Sequence, residues 1–193
     1  MNYKNVRFIL ASQSPRRQEL LKKMGVDFEI KVKSIDETPP KNLRATEVAT
    51  YLAEKKAQEF LKEIETDQIV ICADTTVVFE MKILDKPKNE QQAIQILQTL
   101  SGNWHEVITG VCVLSAQKKL IRKDITKVFF KKLSLSEIEF YVQNFSPYDK
   151  AGGYGIQEWI GMIGIEKIEG SYFNVMGLPT HLLYEMLEEI QKK

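Results

Sequence analysis

Apolar and polar positions along this chain follow two periods, broken by a few unmixed apolar runs. Residues 6–10 and 67–73 are such runs and read as buried strands, the second with continuous burial on both faces. Residues 28–32 alternate apolar with charged, the pattern of a half-exposed strand. Residues 104–114 and 121–130 read as long strands joined by a hairpin tip at 117–119, and residues 161–168 return as a last strand. Helical spacing covers most of the rest. Leu20, Leu21 and Met24 share a face, with Gly25 at the stop. Val48, Ala49, Leu52, Ala53 and Phe60 share one arc of a helix that Thr46 opens and that runs to about residue 61. Ala93, Ile94 and Leu97 follow an Asn89 cap and end at Gly102, and Ser136 opens a helix to Asn144 with Ile138, Tyr141 and Val142 apolar. Leu182, Leu183, Met186, Leu187 and Ile190 make the last segment, 178–190, amphipathic. Early βα units followed by an antiparallel ribbon predict an α/β chain with a mixed sheet.

The first strand-to-helix junction carries unusual chemistry. Ser14-Pro15 is a helix start, in which the hydroxyl caps free amides and proline fits the first turn. Arg16 and Arg17 then fill that turn, the wrong sign for the positive end of a helix by about 0.3–1 kcal/mol each. A ligand that reverses the sign resolves the conflict: exposed amides, the hydroxyls of Ser12 and Ser14, and two guanidinium groups make a receptor for a polyphosphate. A solvated turn with two surface arginines is the competing account.

Further candidates lie downstream. Asp36 and Glu37 stand in a turn-rich stretch, 34–40, either as a solvated acidic turn or as oxygen ligands for a hard divalent cation. Lys56 falls within the apolar arc of its helix, whereas Lys55 points away, so the Lys56 ammonium must reach water or meet an anion. The apolar run ending at Ala73 delivers Asp74 at its end, either as a reactive carboxylate or as a hydrogen-bonding start to a turn at Thr75. Lys86 adds a basic group where the ribbon exits. His105 and Thr109 sit on the ribbon, and the lone histidine reads as a surface or supporting residue, since no partner has metal-binding spacing. Residues 147–157 are too glycine-rich for a regular element. Tyr154 and Gln157 there offer stacking and an amide edge for a base, or the stretch is an ordered glycine turn.

Composition narrows the classes. The chain has 193 residues, enough to bury a core as one domain over 1–193; hydrophobic and charged contents are 44% and 27%, and net charge is +1. No global field points to nucleic acid or an anionic membrane, and no basic patch is interleaved with aromatics. No apolar run approaches the roughly 20 residues of a membrane span, and no signal-like segment opens the chain. Cys72 and Cys112 lie in apolar runs and read as reduced core residues, which fits the cytoplasm.

Leu-Ala-Ser-x-Ser-Pro-Arg-Arg-x-Glu-Leu-Leu, beginning at Leu10, resembles the opening signature of the Maf family of nucleoside triphosphate pyrophosphatases. Ala73-Asp74-Thr75, Lys86-Pro87, Asp149-Lys-Ala-Gly-Gly-Tyr-Gly-Ile-Gln157 and Gly170-Ser-Tyr-Phe-Asn-Val-Met-Gly-Leu-Pro179 agree with it in order. The resemblance implies an elongated mixed α/β architecture like the inosine triphosphatases, two lobes around a cleft, and usually a homodimer. It implies cleavage between the α- and β-phosphates, with Ser12, Arg16, Arg17, Lys56 and Lys86 around the triphosphate, Asp74 as general base, and Mg²⁺ or Mn²⁺ near Glu37 and Asp74. Arg16, Thr75 and Gln157 match positions tied to substrate choice and look like the dTTP/UTP branch; the 7-methylguanosine triphosphate branch has tryptophan for Arg16 and glutamine for Thr75. Cys72, Gly153 and Glu158 depart from the usual glycine, alanine and glycine, and Glu158 places an extra acid beside the expected base pocket. A non-hydrolysing nucleotide-binding regulator is the alternative of a different class. The carboxylates separate the two, since a binder needs only the basic residues.

Overall fold

A computed structural model of the protein describes residues 6–192, so residues 1–5 and 193 of the 1–193 span lie outside the described residues. Its centre is one seven-stranded sheet. The strands are β1 (Arg7–Leu10), β2 (Phe28–Ile30), β3 (Gln68–Phe79), β4 (Lys82–Leu84), β5 (Trp104–Ser115), β6 (Lys119–Phe130) and β7 (Ile165–Glu169). They lie in the order β2-β1-β3-β5-β6-β7, with β4 paired to β3. β1 runs parallel to β2 and β3, and the remaining pairs are antiparallel, so the sheet is mixed as the element order predicts. The two parallel pairings need crossovers, which α1 (Pro15–Lys23) and α2 (Ala45–Gln58) supply.

Alternation along the strands feeds two apolar layers. Val70, Cys72, Cys112 and Leu114 meet Ala53 and Ala57 of α2, and Phe60 just beyond its end, on one face. Ile69, Ile71, Ala73, Val111 and Val113 point to the other face. There they meet α1, α3 (Glu90–Leu100), α4 (Leu135–Phe145), α5 (Trp159–Gly164) and α7 (Thr180–Ile190). Cys72 and Cys112 are free and buried, and burial pushes both thiols up, Cys112 to about 12.

Several local expectations change. β3 does not stop at Ala73: β5 pairs with it from Ile69 to Val78, and the β-branched run Thr75-Thr-Val-Val78 continues the pleat. Asp74 therefore sits inside a strand. Ser134, not Ser136, caps α4, through a reciprocal capping box with Glu137. The stretch read as a strand from 161 is helix α5 up to Gly164, because Ile160, Ile163 and Gly164 face inward at helical spacing. The second loop contains a short helix, α6 (Tyr172–Val175), capped by Ser171.

Candidate functional site

The sheet has a gap along one edge of β3. β1 pairs with it only as far as Ile71, where the Ala11 N–H donates to the Ile71 carbonyl at 2.9 Å, and β4 takes over only at Val77. The main chain of residues 72–76 thus has a strand neighbour on the β5 side alone. A cleft of about 1080 Å³ opens on that edge, walled by residues 11–17, the 32–37 segment, α2, residues 83–88, residues 149–157 and Gly177. Such a volume suits a ligand of nucleotide size. Successive residues of β3 point to opposite faces, so Asp74 and Thr75 serve the cleft from opposite sides.

On the α2 side, Lys56 meets two carboxylates, with Nζ 2.6 Å from Asp74 Oδ1 and 2.9 Å from Glu37 Oε1. Its place on the apolar arc is resolved by an anion, not by reach to water. Burial pushes the Glu37 carboxyl up, but the Lys56 hydrogen bond, with the charges of Lys56, Lys86 and Arg17, overcomes this and holds it below the usual carboxylate range. Lys55 is not merely solvated; it donates to the main-chain oxygen of Asp36. Asp36 caps its own turn through the Thr38 N–H and stays at the rim. Lys86 lines the same cleft without an ion pair among the described residues.

On the opposite side, Arg17 is held by three neutral oxygens. Its Nε donates to the Gly177 carbonyl at 2.8 Å, Nη2 to Thr75 Oγ1 at 3.0 Å and Nη1 to Ser12 Oγ at 3.3 Å. Burial lowers its pKa; the charge of Asp74 works against this, but no carboxylate reaches ion-pair distance among the described residues. The half-buried cation is therefore un-neutralised, a costly state that an anionic ligand relieves. The Ser14 hydroxyl makes no capping bond; instead the Ser14 N–H donates to Ser12 Oγ at 3.2 Å, leaving the first turn of α1 without a side-chain cap. Arg16 reaches across the cleft to Asp149 at 3.0 Å.

The glycine-rich segment closes the far end. Gln157 lines the cleft, and its Oε1 is buried without a hydrogen-bond partner among the described residues. Tyr154 is not a free stacking platform: its hydroxyl lies 2.7 Å from His105 Nε2, and its ring packs edge-on against Phe130. His105, read as a surface or supporting residue, is buried beneath the cleft wall, and burial lowers its pKa to about 3. Glu158 does not enter the cleft. It accepts from the Tyr141 hydroxyl and takes an ion pair from the buried Lys150 at 3.1 Å, and Tyr141 in turn accepts from the Gly155 N–H at 3.0 Å. These ties fix the main chain leading to Gln157. Asp149, Lys150, Thr109 and the Gly177 carbonyl were not singled out from the sequence as binding groups; Asp149-Lys150 and Gly177 lie within the quoted motifs, which was their one signal.

Residues 7–190 match the family described as Maf-like protein. Relatives named dTTP/UTP pyrophosphatase include one from Christiangramia forsetii, 48% identical over 187 residues, covering 97% of this chain and 95% of the relative. Another from Flavobacterium johnsoniae is 47% identical over 184 residues, covering 95% of each. Among solved structures, the Staphylococcus aureus Ham1 protein superposes with a TM-score of 0.52 at 16% identity, over 96% of this chain and 100% of that one, a likeness of fold. With nearly its whole length matched and relatives approaching half identity, the chain belongs to the Maf-like protein family.

Proposed function

We propose that this protein hydrolyses dTTP and UTP between the α- and β-phosphates, releasing the nucleoside monophosphate and pyrophosphate. The observation that carries the reading is one cleft served by an un-neutralised, half-buried guanidinium, Arg17, and by a carboxylate pair, Asp74 and Glu37, from opposite faces of β3. A binder needs the first alone; hydrolysis uses both. The activity for which these relatives are named supports the same substrates.

In this reading Arg17, Arg16, Lys56, Lys86 and the Ser12 hydroxyl surround the triphosphate and stabilise charge growing on the departing pyrophosphate. Asp74 takes a proton from the water that attacks the α-phosphorus, and its release from Lys56 accompanies substrate entry. Glu37 and Asp74 turn hard oxygen donors toward one point, which the Lys56 ammonium bridges, so the pair fits Mg²⁺ or Mn²⁺. Groups of three or more metal-binding side chains are absent among the described residues, so Glu37 and Asp74 would hold the ion together with oxygens from outside the protein. When bound, the ion supplies positive charge to the polyphosphate. The unpaired Gln157 Oε1 suits the imide N–H of uracil or thymine, which cytosine lacks. The reduced, buried cysteines agree with a cytoplasmic enzyme.

The test is a panel of UTP, dTTP, CTP and 7-methylguanosine triphosphate with Mg²⁺, separating pyrophosphate from orthophosphate. UTP and dTTP should be cleaved with pyrophosphate release and CTP much more slowly. Orthophosphate as the product, or faster cleavage of 7-methylguanosine triphosphate, refutes the assignment.

A further inference from the structure

The oxygens around Arg17 can each be assigned a direction of hydrogen bonding. Thr109 Oγ1 lies 3.0 Å from the main-chain oxygen of Asn174, and both residues are fully buried. Two oxygens that close repel unless a proton lies between them, and a carbonyl has none, so Thr109 supplies it. Its only proton being committed, Thr109 can meet Thr75 Oγ1, 2.9 Å away, solely as acceptor. The Thr75 proton therefore points at Thr109, and Thr75 accepts from Arg17 Nη2. Ser12 is the complement: its oxygen accepts from the Ser14 N–H and from Arg17 Nη1, so its proton is left for the cleft. One wall of the cleft thus offers a proton at Ser12, suited to a phosphate oxygen, and a lone pair at Thr75, which repels one.

We propose that Thr109, which does not line the cleft, is a positioning residue for phosphate binding: by taking the Thr75 proton it makes Thr75 an obligate acceptor and anchors the Arg17 guanidinium. Without the Thr109 oxygen, the Thr75 hydroxyl turns its proton toward the nearest alternative, and an O–H facing the Arg17 N–H is repulsive. Arg17 then loses one of its three anchors and the order that lets it meet phosphate without rearrangement. Asp74 lies on the other face of β3, so the effect falls on binding more than on turnover. The inference rests on the cleft being a triphosphate site.

Binding is measured by calorimetry in EDTA, so that no hydrolysis is required, with UTP and with inorganic tripolyphosphate as probes. Thr109→Val should weaken both about 10-fold, and Thr109→Ser, which keeps the hydroxyl, should stay within about 2-fold of wild type. In a Thr75→Val background, adding Thr109→Val should change affinity by less than about 2-fold, because the proton at issue is gone. In steady state with UTP and Mg²⁺, Thr109→Val should raise KM about 10-fold and leave kcat within about 3-fold. Wild-type affinity in Thr109→Val, a Thr109→Ser variant as weak as Thr109→Val, or additive losses in the double variant would each overturn the proposal. If tripolyphosphate shows the pattern and UTP does not bind, the nucleotide reading fails and the proton assignment stands. A wild-type protein that binds neither probe overturns both.

Discussion

Gly110 stands directly across from Asp74 in the β3–β5 ladder, and the main chain of α2 passes close against it. A Cβ at 110 would lie 2.5 Å from the Ala49 carbonyl carbon and oxygen. The missing side chain therefore lets α2 lie low over the strand, and Lys56, two turns further along that helix, reaches Asp74 and Glu37 from there.

Gly110→Ala forces the helix outward. It should destabilise the fold by about 1–3 kcal/mol. It should also lower kcat/KM for UTP by about 10–100-fold through displacement of Lys56. Thermal melts and steady-state kinetics on the same preparation check both, and a melt shift without any kinetic loss would separate Lys56 placement from this glycine.

Asp74→Asn keeps the shape of the side chain and removes the proton acceptor. Turnover should fall by about 10²–10⁴-fold while UTP binding is largely kept. Single-turnover kinetics alongside calorimetry measure the two; turnover near that of wild type removes Asp74 from the chemistry.

Arg17→Met should weaken tripolyphosphate and UTP binding by at least about 10-fold. The melting temperature of the free protein should stay near that of wild type, because replacing an unpaired, half-buried cation with hydrocarbon offsets three lost hydrogen bonds. A collapse of the free protein would instead mark Arg17 as a structural strut.

His105 links stability to pH. Its folded pKa of about 3 lies below the ordinary 6.5, so the unfolded chain binds the extra proton between those values. The neutral ring's contribution is complete above pH 6.5 and declines as pH falls toward 3, by about 1.4 kcal/mol per pH unit. Urea unfolding at pH 7 and pH 5 should show a smaller drop for His105→Gln than for wild type; equal drops would mean that the ring is protonated in the fold.

Much of this arrangement was readable from local pattern. Lys56 betrayed itself by standing on the apolar arc of a helix, and the structure puts two carboxylates there. Arg16 and Arg17 at a helix start point to a charge in need of a partner: Arg16 meets Asp149, and Arg17 has no carboxylate at ion-pair distance among the described residues. Asp74 stands out as the first polar residue after an apolar run, yet its strand runs on for five more residues, to Phe79. β3 changes partners on one edge while β5 holds the other, and pairing across a sheet leaves no trace in a local period. The same limit hid Thr109, 34 residues from Thr75 and 65 from Asn174, and the Tyr141–Glu158–Lys150 tie behind Gln157. α5 was misassigned because its short apolar segment carries too few residues to separate a period of two from one of 3.6.

Placing Asp74 and Thr75 on opposite faces of one strand makes the spacing of this segment intolerant of insertion or deletion. A single residue gained or lost between Gln68 and Asp74 exchanges the two faces, turning the carboxylate toward Arg17 and the threonine toward Lys56. Such a protein would keep every side chain named for the cleft yet have its Lys56-facing and Arg17-facing surfaces transposed. Lineages that drift in length should therefore do so in the largely exposed 38–44 stretch or at the 116–118 turn, and hold the count from β3 to its β5 partner fixed.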